Sequence, residues 1–167
     1  MSGIAIRTGP EPGDLGTVLA MHGEHYAREH GFDERFEAHV ARGLAAFAAA
    51  LGDARDGGAS PGVLWLAERD GEPVGTVALT DEGDGVGQLR WFLVTPTARG
   101  SGLGRRLLRA LLDHARARGY AYVRLWTVDG LDAAARLYTD AGFRCTERNP
   151  VRQWGHDLVE ARYDLAL

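Results

Sequence analysis

The chain has 167 residues, 45% of them hydrophobic, 25% charged and 8% aromatic, with a formal net charge of −4. That length suits one domain spanning residues 1–167, with enough core to fold without disulfides, and the acidic balance argues against a general nucleic-acid binder. All 19 basic residues are arginine and there is one cysteine, which excludes Schiff-base chemistry, a disulfide framework and a cysteine zinc cluster.

The N-terminus, Met1-Ser2-Gly3-Ile4, carries no basic patch followed by an apolar stretch, so no signal peptide is expected and the cytoplasm is the default location. Ile4 to Arg7 reads as a brief strand. Two helices follow, about Asp14 to His30 and about Asp33 to Leu51. In the second, Phe36, Val40, Leu44, Phe47 and Leu51 recur at helical spacing, and Asp33 stands in a capping position. The longest apolar run, Leu44 to Leu51, is about half the length that crosses a membrane. Gly52 to Gly62 is rich in glycine, alanine and aspartate and reads as a loop.

Strand patterns take over from there. Val63 to Glu68, the turn Asp70-Gly71, and Pro73 to Leu79 form a hairpin signal, and a turn at Asp81 to Gly85 leads into Val86 to Val94. A glycine-rich turn precedes a helix of about Leu103 to Arg118. Tyr120 to Thr127 is a strand and Leu131 to Ala141 a helix. Phe143 to Glu147 and Leu158 to Leu165 close the chain as strands, with Cys145 expected to be buried. The order β-α-α-β-β-β-α-β-α-β-β predicts an α/β fold with a mixed, mostly antiparallel sheet flanked by helices.

The glycine turn carries chemistry. Arg99-Gly100-Ser101-Gly102-Leu103-Gly104 joins a hydrophobic strand to an amphipathic helix whose apolar positions are Leu103, Leu107, Leu108, Leu111 and Leu112. Glycines there let a ligand approach the backbone, and the unpaired N–H groups of a first helical turn favour an anion. Arg99, Arg105, Arg106 and Arg109 add positive charge, so a phosphate or pyrophosphate is the natural ligand. A nucleoside-triphosphate loop needs a lysine that is missing, and a dinucleotide fingerprint would need glycine where Leu107 stands.

Arg99-x-x-Gly102-x-Gly104 after a strand resembles the acetyl-CoA signature of the GNAT N-acetyltransferase superfamily. Leu137-Tyr138-Thr139-Asp140-Ala141-Gly142-Phe143 resembles its second hallmark. His22-Gly23-Glu24-x-Tyr26, Leu125-Trp126-Thr127 and Trp154-Gly155-His156-Asp157-Leu158 extend the likeness to the acetyltransferase half of bifunctional MarR-type regulator/GNAT proteins. With about five residues ahead of the first strand, no DNA-binding half is expected. The resemblance implies the GNAT (acyl-CoA N-acyltransferase) fold and direct transfer of an acetyl group to a primary amine of a small or amino-acid-like substrate.

On that resemblance, backbone groups of Phe92, Leu93 and Val94 pair with the pantetheine arm of acetyl-CoA. Arg99, Gly100, Ser101, Gly102, Leu103, Gly104 and Arg105 hold its pyrophosphate. Tyr138 resembles the proton donor to the leaving thiolate; the other reading is a packed core tyrosine. Many members carry asparagine seven residues earlier, where this chain has Leu131. His22, Glu24, Tyr26, Arg90 and Trp126 are candidate walls of the acceptor site, with Trp154 a further one. Glu24, His22, His25 and His156 are candidate bases. The histidines lack a metal-binding spacing, so no metal is expected. No membrane partner is expected; family members are often homodimers, though no exposed apolar stripe demands one here. The alternative function is a non-catalytic acyl-CoA sensor.

Overall fold

A computed structural model describes residues 3–167. Seven strands and four α-helices alternate in the anticipated order: β1 (Ala5–Gly9), α1 (Asp14–His30), α2 (Glu34–Arg55), β2 (Gly62–Arg69), β3 (Glu72–Asp81), β4 (Val86–Val94), α3 (Leu103–Ala117), β5 (Tyr122–Val128), α4 (Asp132–Asp140), β6 (Arg144–Gln153) and β7 (His156–Ala166). They form one sheet in the order β1-β2-β3-β4-β5-β7-β6, antiparallel except for the β4–β5 pair. Among the described residues, no helix is long and apolar enough to cross a membrane.

Each face of the sheet has its own core. Leu103, Leu107, Leu108, Leu111 and Leu112 of α3 are all buried and pack with Val77, Leu79, Leu125 and Phe143. On the opposite face, Val18 of α1 and Phe36, Val40, Leu44 and Phe47 of α2 cover Leu64, Leu66, Ala78 and Trp91. Burial of these stripes is what fixes the helices to the sheet. The start of α1 is fixed by charge as well. Arg7 of β1 donates to both carboxylate oxygens of Asp14 at 2.9 Å and to Glu68 of β2 at 2.8 Å.

The seam between β4 and β5 is short. Only Val86, Gly87 and Gln88 pair with Tyr122, Val123 and Arg124, after which the strands part. A bulge explains the divergence. Thr76 of β3 faces Leu93 while Ala78 faces Arg90, so β4 carries an extra residue between them. Trp91 adopts a positive φ of 48°, and its carbonyl accepts a 2.6 Å hydrogen bond from Thr76 Oγ1. A bulged strand bends and twists more strongly than its neighbour, and here it bends away from β5.

Three expectations need correction. The segment read as a loop from Gly52 is helical through Arg55, because alanine and arginine extend α2 despite Gly52. The closing strands are longer than expected and form a hairpin about Trp154-Gly155, with φ of 51° and 88°. Cys145 is exposed, since β6 is an edge strand whose first residues face solvent. The other boundaries agree within about three residues, and Asp33 does cap α2, accepting from Arg35 N at 3.0 Å.

Candidate active site

The parting strands open a cavity of about 680 Å³. Phe92, Leu93 and Val94 of β4 form one wall. The glycine turn contributes Arg99, Gly100, Gly102, Leu103, Gly104 and Arg105, and α1 contributes His25, Tyr26, Glu29 and His30. Leu131, the N-cap of α4, and Asp132, Ala133, Ala134 and Leu137 within the helix complete the lining. The cavity thus gathers every expected cofactor residue except Ser101, whose hydroxyl turns back to donate to Ala98 O at 2.5 Å.

The turn has the geometry of an anion cradle. Gly100 and Gly102 hold φ of 77° and 81°, and a Cβ added at either would meet nothing within 4 Å. Gly102 is the N-cap of α3, and no side chain caps that terminus. First-turn N–H groups lacking a side-chain partner are donors waiting for an anion, reinforced by the helix dipole. Gly104 lies against the wall itself: its Cβ would fall 3.3 Å from Leu137 and 3.7 Å from Phe92. The donor set and the room fit a diphosphate.

Arg99 is tied down on both sides. Its Nε donates to Val94 O at 3.2 Å and its Nη2 pairs with Glu29 of α1 at 2.7 Å. The ion pair holds the Glu29 carboxyl below its ordinary range and raises the Arg99 guanidinium. His25 Nδ1 stands 3.8 Å from the same Glu29 oxygen.

Tyr138 sits behind the cavity rather than on its surface. It is 5% exposed and packs in the core, its ring 6.1 Å from Phe92 and Tyr163 and 5.9 Å from Phe143. Burial pushes its phenol well above the usual value, and Tyr26 and Tyr163 add to the shift. Tyr26 is itself pushed up to about 12, chiefly by burial and secondarily by Glu29.

Five expected acceptor residues lie outside the cavity. Glu24 is exposed on α1. Trp126 is 38% exposed on β5. Arg90 turns toward α2, its guanidinium 4.7 Å over the Trp91 ring and close to Gly43, where burial lowers its pKa. His22 is 3% exposed, stacked 5.9 Å from Tyr26; its Nδ1 donates to Val18 O at 2.8 Å and its Nε2 is buried without a partner. Trp154 packs instead on Phe32, Phe36 and His39, where the β6–β7 turn meets the α1–α2 connection. Sequence reasoning missed Glu29, whose relevance depends on a contact with a turn 70 residues away, and His30, which lines the same cavity.

Burial lowers the His22 pKa to about 4, so the folded protein holds this ring neutral. Between that value and the unfolded 6.5, the unfolded chain binds a proton that the folded one does not. His22 therefore supports stability above pH 6.5 and loses that support as pH falls toward 4. Urea denaturation at pH 7 and pH 5 is expected to differ by about 2 kcal/mol more in the parent than in His22→Gln. Equal differences would refute the buried neutral ring.

The family profile described as Acetyltransferase (GNAT) matches residues 44–143, which include the whole glycine turn and Tyr138. The chain belongs to the GNAT acetyltransferase family. An IAA acetyltransferase of Azospirillum brasilense is 40% identical over 104 residues, covering 59% of this chain and 65% of that protein. An uncharacterised N-acetyltransferase of Schizosaccharomyces pombe is 31% identical over 155 residues, 90% of each chain. The fold is also that of yncA from Salmonella typhimurium, solved with its cofactor acetyl-CoA. That likeness has a TM-score of 0.74 at 22% identity, over 98% of this chain and 93% of that one. In this GNAT chain the matched stretch takes in both the glycine turn and α4. Leu131 is the N-cap of α4, has no capping side chain, and lines the cavity with an apolar surface.

Proposed function

We propose that this GNAT protein transfers an acetyl group from acetyl-CoA directly to the primary amine of a small, amino-acid-like molecule. The observation that carries the reading is the single cavity joining the parted strand β4 to the uncapped start of α3. Acetyl-CoA would supply the acetyl group activated as a thioester. Main-chain groups of Phe92, Leu93 and Val94, left without a β5 partner, offer an edge to which an extended amide-bearing arm adds like a strand. An N–H on that edge is placed to polarise a carbonyl. Amides from Gly100 to Arg105 hold the diphosphate, with the Arg105 side chain beside them at the cavity wall.

Tyr138 serves the leaving sulfur. A thiol titrates near pH 8.5, below a phenol, and burial raises the Tyr138 phenol further. The group therefore stays protonated throughout the working range. It stabilises a thiolate first by donating a hydrogen bond and yields its proton afterwards. The likeness to the regulator-linked GNAT proteins rests on His22-Gly23-Glu24-x-Tyr26, Leu125-Trp126-Thr127 and the segment from Trp154 to Leu158. Soluble cytoplasmic activity without a metal completes the proposal.

The sensor reading has one observation in its favour, the apolar Leu131 on the cavity wall. The two separate in one assay. Free-thiol release from acetyl-CoA across a panel of primary amines is expected to exceed the amine-free rate for at least one amine. Tight acetyl-CoA binding with no amine-dependent release would establish the sensor, and absence of binding would overturn both.

A further inference from the structure

Acetylation of an amine requires that an ammonium group lose a proton before its nitrogen can attack. Of the four candidate bases in the sequence, three are misplaced. Glu24 is exposed away from the cavity. His22 Nε2 has no contact with the cavity or with solvent. His156 bonds Gly31 O at 2.9 Å beside the α1–α2 connection, outside the cavity. His25 remains. It lines the same cavity as Phe92, Leu93 and Val94, and its side chain is 16% exposed.

His25 Nδ1 is buried without a hydrogen-bond partner and faces Glu29 Oε1 at 3.8 Å. That gap is longer than a hydrogen bond, and such contacts are commonly loose before substrate binds. Glu29 is in turn anchored by the 2.7 Å bond from Arg99 on the glycine turn. The chain Arg99–Glu29–His25 therefore runs from the proposed diphosphate cradle along α1. A carboxylate beside Nδ1 favours the tautomer with hydrogen on Nδ1, leaving the Nε2 lone pair free.

We infer that His25 is the general base that takes the proton from the acceptor's ammonium group, with Glu29 as its positioning residue. The inference rests on the acetyl-transfer reading. Nε2 accepts one proton from R–NH3+, and the resulting amine forms the new N–C bond as the C–S bond breaks. The thiolate takes a proton from Tyr138, the amide nitrogen releases its extra proton, and solvent restores both side chains. The net change is ammonium plus thioester to amide, thiol and one proton. The other titratable or charged groups on the cavity walls are Tyr26 and His30 from α1, Arg99 and Arg105 from the glycine turn, and Asp132 from α4; His22 lies one turn before His25.

The test has two parts. First, the pH profile of kcat/KM is recorded for the parent and for His25→Gln, with acetyl-CoA affinity measured by calorimetry. His25→Gln is expected to lower kcat about 100-fold, keep the affinity within about twofold, and lose the acidic limb of the profile. Second, nitrogen-15 NMR of the cofactor-free protein reads the His25 tautomer. The parent is expected to show hydrogen on Nδ1, and Glu29→Ala a shift toward the Nε2–H form. An unchanged acidic limb in His25→Gln, or an Nε2–H ring in the parent, overturns the role of His25 while acetyl transfer stands. No turnover by the parent with any amine overturns acetyl transfer itself.

Discussion

Gly102→Asp is expected to weaken acetyl-CoA binding at least 100-fold while leaving the protein folded. Gly102 is the uncapped N-cap of α3, with φ of 81° and open space around its missing Cβ. Aspartate is among the side chains that best tolerate a left-handed backbone and is favoured at a helix N-cap, so the helix keeps its start. The carboxylate then occupies the anion site and repels a diphosphate. Two unit charges about 4 Å apart near a protein surface oppose each other by about 4 kcal/mol, nearly three decades of affinity. Gly102→Asn is the control, similar in shape and uncharged, and is expected to retain most of the affinity. Calorimetric titration with acetyl-CoA decides; parent-like affinity in Gly102→Asp removes the diphosphate from this turn.

Tyr138→Phe is expected to lower kcat about 100-fold with acetyl-CoA affinity within about twofold. The ring is held by Phe92, Phe143 and Tyr163, and phenylalanine keeps all of those contacts. Only the hydroxyl is lost, which makes the substitution a clean test of the proton donor. Parent-like kcat would make Tyr138 a packing residue, as its 5% exposure alone suggests. Of α4 and its N-cap, Leu131, Ala133, Ala134 and Leu137 give the cavity apolar lining and Asp132 a carboxylate.

The architecture was legible wherever the physics was local. The 3.6-residue spacing in α2, the cap at Asp33 and the Asp70-Gly71 turn each specify their own segment, and the structure contains all three. The glycine turn was legible for the same reason, since its residues are contiguous. Longer-range features were not. A tryptophan at φ 48° has no sequence signature, yet the Trp91 bulge lies where β4 leaves β5. β6 is rich in charge and contains Pro150, features that read as loop but are also tolerated on an edge strand. Arg90 and Trp126 alternate correctly along their strands, but which neighbour each meets depends on α2 and on the width of the opening.

The brief β4–β5 seam gives the sheet a third free margin, hidden inside the molecule. Outer margins invite other chains to add on and are defended by charge and irregularity. An interior notch needs less defence, because α1 and α4 flank it. On the proposed function, a single slender chain with spaced amides pairs with that margin. The fold would thereby turn a common aggregation hazard into a selective receptor.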